Sequence, residues 1–307
     1  MENSVIKLNA RAKVNLFLHA EKKDEKGYHP LKTVFQPLIL ADEIIISKSD
    51  ERGVKLTSNA NIPLDKKNNV YKAISIFCNE INKSIEELKL HIHIQKNIPI
   101  SAGLGGSAVD SAPVLIKLNE LLNVNLSREK LEDIARKVGA DVPHALYLHA
   151  TYATGYGDVI EEEFVLPSMF VSIYTPYGYI KNKVNKTAYL YNLIDQEKEK
   201  YGENLEKAVM AKLCLMKKAL KSKDWKKIGG LMHNDFEFVA FKEYPILRKV
   251  KEIYLENGAY GALLAGSGGS IFGIFKNPSD SLAASNKVEQ AVGRESGQII
   301  LTETTGF

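Results

Sequence analysis

Residues 98–110 read Ile98-Pro99-Ile100-Ser101-Ala102-Gly103-Leu104-Gly105-Gly106-Ser107-Ala108-Val109-Asp110. Just upstream, Leu90-His91-Ile92-His93-Ile94 alternates with period two, as a strand does. Downstream, Ala108, Ala112, Leu115, Leu118 and Leu122 recur at helical spacing, which predicts a helix over 107–122. The stretch is therefore a glycine-rich turn from a strand into a helix. Its three glycines let the backbone approach an anion and adopt positive φ. A helix start at Ser107 adds unpaired N–H groups and the positive end of a dipole. Phosphate is the natural occupant, and a ligand-free strand-to-helix turn is the plain alternative. No Gly-Lys-Ser/Thr follows, so the loop is not a Walker A. Gly103 and Gly105 fit a dinucleotide fingerprint, but position 108 is Ala.

Working outward, residues 5–20 alternate as strand, and Gly27-Tyr28-His29-Pro30 breaks the pattern. Leu38–Leu40 and Ile44–Ile46 read as strand. Residues 68–81 form a helix by spacing. Ser127 is an expected N-cap for the next helix and Gly139 its C′ residue. After Tyr147 strands return at 152–157 and 170–174. Asp195–Asn204 is polar and charged, an expected loop between helices. Helices are predicted over 205–220, 225–238 and 244–257, then strand, turn and strand over 262–275. Strands and helices are mixed without regular alternation, which predicts an α+β class. A chain of 307 residues is long for one core and predicts two domains, 1–160 and 161–307.

Composition narrows the function. Hydrophobic residues are 45% and charged residues 25%, the balance of a globular protein. The net charge is only +4, with lysines dispersed among glutamates, which argues against nucleic acid. No apolar run approaches membrane-spanning length. Met1-Glu2-Asn3-Ser4 does not open a signal peptide. The two cysteines, Cys78 and Cys214, lie far apart, as free thiols in a reducing compartment do. A cytoplasmic protein with a small-molecule substrate, monomer or homodimer, is the expectation. His91 and His93 share a strand face, but no third ligand is suitably spaced for zinc. His233 reads as a structural helix residue.

Six stretches carry a resemblance. They are Ala12-Lys13-Val14-Asn15-Leu16-Phe17-Leu18, Gly27-Tyr28-His29-Pro30-Leu31, Asn68-Asn69-Val70-Tyr71-Lys72-Ala73, Gly139-Ala140-Asp141-Val142-Pro143, His233-Asn234-Asp235-Phe236-Glu237 and Gly266-Ser267-Gly268-Gly269-Ser270. With Pro99–Ala108, which is similar to the family's Pro-x-x-x-Gly-Leu-Gly-Ser-Ser-Ala, they resemble the GHMP kinases across nearly the whole chain. They are most similar to the branch acting on 4-diphosphocytidyl-2-C-methyl-D-erythritol in non-mevalonate isoprenoid synthesis. The resemblance implies an N-terminal domain like domain 2 of ribosomal protein S5 and a ferredoxin-like C-terminal domain. It implies ATP and Mg²⁺ as cofactors, with metal ligands unassigned. It implies Asp141 as catalytic base and Lys13 as its partner beside the acceptor hydroxyl. ATP would meet Pro99 through Val109, with Lys96 and Asn68 near the base. Tyr28 and His29 would hold cytosine, and Asn15 the methylerythritol part. Lys13 could otherwise be a surface lysine, and Asp141 an N-cap before Pro143.

The chain also departs from that pattern. Where the family reads Gly-Leu-Gly-Gly-Gly-Ser-Ser-Asp-Ala-Ala, Ser107, Ala108 and Val109 move the hydroxyl by one position, about 100° around a helix. His144 replaces a usual aromatic. Residues 176–183 lack the usual Val-Ser-Thr, and Tyr177 and Tyr179 there are candidates for stacking a base. These departures keep two rivals open: a related kinase for another small alcohol, and a nucleotide-binding module without catalysis.

Overall fold

The computed structural model describes residues 5–178 and 186–307; Tyr179 and the rest of 179–185 lie outside them. The first half runs β1 (Ile6–Ala20), β2 (Leu31–Lys48), β3 (Gly53–Ser58), α1 (Asn69–Glu80), β4 (Lys89–Gln95), α2 (Gly106–Val109), α3 (Ser111–Leu121), α4 (Arg128–Val138), β5 (Ala150–Thr154) and β6 (Val159–Phe164). The second runs β7 (Phe170–Pro176), α5 (Lys186–Lys221), α6 (Trp225–Leu231), β8 (His233–Asn234), α7 (Glu237–Glu243), α8 (Pro245–Glu256), β9 (Gly261–Leu264), β10 (Ile271–Phe275), α9 (Pro278–Val292) and β11 (Gly297–Glu303). The class is α+β, as expected.

One sheet has the order β3-β4-β2-β1-β8, with β5 on β2 and β6 on β5. The other is β11-β7-β10-β9. Position 160 falls inside β6, so the first sheet reaches Phe164 and the second opens at Phe170. The short β8 crosses back, pairing in parallel with Phe17 and Leu18 of β1. One buried apolar cluster draws on both sheets, through Val14, Leu38, Phe77, Leu115, Ile173 and Phe272. The site-bearing strand β1 is thus held from both halves.

Local chemistry explains most boundaries. Asn68 caps α1, its Oδ1 accepting from the Val70 N–H at 2.8 Å. Ser127 caps α4, accepting from Lys130 N–H. Gly139 ends that helix in extended backbone (φ 176°), not in the left-handed turn expected of a C′ glycine. The helix after the glycine loop starts one residue early, at Gly106, and its hydrogen bonding breaks at Asp110, so α2 and α3 are separate.

Three expectations are corrected. Residues 195–204 are not a loop; α5 continues through them. The stretch is rich in Gln, Glu and Lys, which are good helix formers however polar they look. The helix expected over 225–238 is interrupted at β8, where Asn234 and Asp235 bond to distant backbone instead. His233 consequently lies on a strand, not a helix.

Candidate active site

Strand β1 shifts register against β2 between Arg11 and Lys13 and again between Asn15 and Phe17. Such bulges re-aim side chains. Lys13 and Asn15, two apart, share a face and meet: Lys13 Nζ donates to Asn15 Oδ1 at 2.8 Å. Asn15 Nδ2 donates to Thr33 Oγ1 at 2.8 Å, and that hydroxyl donates to the Phe17 carbonyl at 2.8 Å. Asn15 therefore orients the lysine and is itself held by β2.

Lys13 is 4% exposed, which rules out a surface lysine. Its Nζ lies 3.9 Å from Asp141 Oδ2 and 5.3 Å from the Phe35 ring centroid. Burial pushes its pKa down, and the Asp141 charge opposes that. Asp141 is half-exposed, so the pair is a sheltered cation facing an accessible carboxylate. The 3-10 turn at Pro143–Leu146 has Val142 as its N-cap and no side-chain cap bond, so Asp141 is not spent there.

The glycine loop closes over this pair. The Lys13 backbone N–H donates to the Leu104 carbonyl at 3.0 Å. Gly103 and Gly105 have φ of 83° and 81°, as expected for a loop of this kind, while Gly106 is helical. The loop walls a cavity of about 490 Å³ that contains Pro99 through Ala108, Asn68, Lys96, Asp110 and Asp141. Val109 is buried behind the loop and does not line the cavity.

Lys96 and Asn68 both reach the cavity wall, but each is already committed. Lys96 Nζ bonds Asp42, Asp110 at 2.9 Å and the Gly106 carbonyl at 3.0 Å. It pins the first helical turn from beneath. One ammonium cannot fully ionise two buried carboxylates, and desolvation pushes Asp110 up to about 7. Asn68 donates to the Pro63 carbonyl at 2.7 Å and so shapes the cavity rim.

A second wall escaped sequence reasoning. Gly266–Gly269 turns with positive φ and packs against the first loop. A Cβ on Gly103 would lie 2.1 Å from the Ala265 carbonyl oxygen, and one on Gly266 would lie 3.6 Å from Lys13 Nζ. Asn234 Nδ2 holds this turn, donating to the Leu264 and Gly266 carbonyls at 2.8 Å each. Asp235 anchors β8 through His19, His233 and the Ala20 N–H. Both motifs were visible in sequence as Gly266–Ser270 and His233–Glu237. Their docking on β1 depends on contacts more than 200 residues apart.

Tyr28 and His29 lie together in a separate cavity of about 350 Å³ with Tyr156 and Tyr191. Tyr28 is 66% exposed and meets Tyr156 edge-on at 5.8 Å. His29 is buried and stacked on Tyr191 at 4.7 Å and 11°. Its Nδ1 contacts the Glu21 carbonyl at 2.7 Å, so the ring carries its proton there when neutral. Its Nε2 faces the Asp195 carboxylate, 3.4 Å away. Tyr177 is exposed, follows β7 and lines neither this cavity nor the loop cavity. His144 fills the role of the aromatic it replaces, stacking on Phe35 at 4.2 Å and 18°. His91 and His93 both contact Thr57 Oγ1 at 2.9 Å.

Comparison with known proteins follows the same outline. Residues 68–149 match the GHMP kinases N terminal domain, and residues 216–295 match the GHMP kinases C terminal domain. A 4-diphosphocytidyl-2-C-methyl-D-erythritol kinase of Caldicellulosiruptor bescii is 35% identical over 97% of this chain and 98% of its own. One from Clostridium perfringens is 32% identical over 94% of each. A crystal structure of 4-(cytidine 5'-diphospho)-2C-methyl-D-erythritol kinase superposes with TM-score 0.74, at 26% identity, over 98% of this chain and 100% of that one. Homoserine kinase from Cytophaga hutchinsonii shares the fold, with TM-score 0.79 at 20% identity over 100% of this chain and 96% of that one.

Proposed function

The chain belongs to the GHMP kinases, in the branch of the 4-diphosphocytidyl-2-C-methyl-D-erythritol kinases, and from that premise we propose that Lys13 and Asp141 are its phosphoryl-transfer centre. The enzyme uses ATP to phosphorylate a hydroxyl of 4-diphosphocytidyl-2-C-methyl-D-erythritol. The observation that carries the assignment of the centre is the buried Lys13 ammonium 3.9 Å from Asp141, roofed by the glycine loop.

The proposed chemistry follows from that geometry. The positive-φ glycines and the N–H groups at the start of α2 receive the ATP phosphates. The acceptor hydroxyl sits against Asp141, which takes its proton as the bond to phosphorus forms. Lys13, fixed by Asn15, stabilises charge on the transferring group. Asn15 also faces the polyol part of the acceptor. Phosphate-bound Mg²⁺ needs only one or two protein oxygens. The exposed Ser107 hydroxyl is suited to it, whereas Asp141 is kept for the acceptor and Asp110 is tied to Lys96 with its second oxygen covered. Bound Mg²⁺ would neutralise phosphate charge.

Tyr28 offers an exposed ring for cytosine to stack on. His29, stacked on Tyr191, walls the same cavity beside that ring. The two unpaired cysteines fit a reducing compartment, which we take to be the cytoplasm. The test is incubation with ATP and each of three acceptors: the cytidyl substrate, homoserine and mevalonate. ADP formation with the cytidyl substrate alone is expected. Turnover of another alcohol in its place would overturn the acceptor assignment.

A further inference from the structure

A second cavity, of about 280 Å³, lies behind the catalytic turn. Its wall includes Arg11 of β1, Arg128 of α4, and His144, Tyr147, His149 and Glu163. Three observations mark it as more than a surface dent. Arg11 has no ion-pair or side-chain hydrogen-bond partner among the described residues. Arg128 spends one nitrogen on the Leu146 carbonyl at 2.7 Å and stacks over Tyr147 at 4.8 Å, leaving further N–H donors. His144 is 1% exposed, yet neither ring nitrogen has a hydrogen-bond partner.

The lining sets one carboxylate, Glu163, against two guanidinium groups. Glu163 is paired with His149 at 2.7 Å. The cavity therefore keeps surplus positive charge and unused donors. Arg128 is exposed and Arg11 half-buried, so both guanidinium groups can be reached from solvent. Guanidinium forks match phosphate oxygens in particular. The volume falls just below the range of about 300–1,000 Å³ typical of drug-sized ligands, which limits the occupant to a small molecule.

We propose that this cavity is a second ligand site, taking a small phosphate- or diphosphate-bearing molecule between Arg11 and Arg128, above the buried His144 ring. It is distinct from the ATP cavity, with which it shares no lining residue. It is also coupled to it. Asp141 lines the first cavity and residues 144–149 line the second, so one short segment is a wall of both. An anion held against residues 144–149 would load the turn that carries Asp141. That consequence for turnover rests on the role proposed for Asp141; binding itself does not.

The experiment is calorimetric titration of inorganic phosphate and of inorganic diphosphate into the whole protein, with and without saturating ADP. One diphosphate per chain is expected to bind with ADP present. Arg11→Met and Arg128→Met are each expected to weaken it by about tenfold or more. Circular dichroism and kinase turnover of Arg11→Met, expected to match the parent without added anion, separate lost binding from lost fold. The proposal is overturned if nothing binds by about 10 mM, if ADP abolishes binding, or if both arginine variants bind as the parent does. A kinase inactive on every acceptor, with diphosphate binding intact, would refute the proposed catalytic centre and leave this site standing.

Discussion

Replacing Gly103 by alanine tests whether the two glycine turns must touch. At φ +83° an alanine is strained by about 1–2 kcal/mol before any contact is counted. The added Cβ would lie 2.1 Å from the Ala265 carbonyl oxygen, 2.9 Å from its carbon and 3.3 Å from the Gly268 oxygen. All three are backbone atoms, so no rotamer relieves them. The turns must separate by roughly 1 Å to restore van der Waals distance. Gly258 supplies the control. It has φ +91° and nothing within 4 Å of an added Cβ, so Gly258→Ala carries the backbone strain alone. In urea unfolding, Gly258→Ala should lose about 1 kcal/mol and Gly103→Ala about 3 kcal/mol or more. Because Gly266 abuts Lys13, a shift of that size should also cost about 100-fold in kcat. Equal stability losses in the two variants, or a Gly103→Ala enzyme with full turnover, would refute the close approach.

Three further outcomes follow from single residues. Tyr28→Ala should raise KM for the cytidyl acceptor by about tenfold or more while leaving KM for ATP unchanged, since one base–aromatic stack contributes about 1–3 kcal/mol; a rise in KM for ATP instead would misplace the cytosine. His144 is held down to about 3 by burial and carries two unpartnered nitrogens, so His144→Phe should stabilise the fold by about 1–2 kcal/mol at pH 7, read by urea unfolding; a destabilised variant would mean those nitrogens have partners. Asp110 is pushed up to about 7, above the usual carboxylate value of about 4, so the folded state holds a proton that the unfolded state releases. Its contribution is full below about pH 4 and is lost as pH rises through 7. The stability of Asp110→Asn relative to the parent should therefore rise between those limits, and a flat difference would contradict the shift.

What was legible in sequence was local. The glycine loop, the alternation of β1 and the cap at Ser127 each depend on residues within a turn or two of one another. Lys13 is a charge inside an otherwise apolar stretch of β1, and its burial is the structural counterpart of that pattern. What could not be read is what long-range pairing decides. Asp42 becomes the partner of Lys96 only because β2 runs beside β4. Phe35 reaches both Lys13 and His144 because it pairs across from Asn15. Asn234 looks like a helical residue until β8 docks on β1, and then its amide holds the second glycine turn. The polar run at 195–204 misled because charge density marks exposure, not a break in helical backbone.

The most direct test of the catalytic centre is Asp141→Asn, an isosteric change that removes the base and keeps the shape. With ATP and 4-diphosphocytidyl-2-C-methyl-D-erythritol as substrates, kcat should fall by about 100-fold or more while Kd for the acceptor stays within severalfold. A variant that turns over within about threefold of the parent would show that Asp141 is not the base and that the Lys13–Asp141 pair is not the transfer centre.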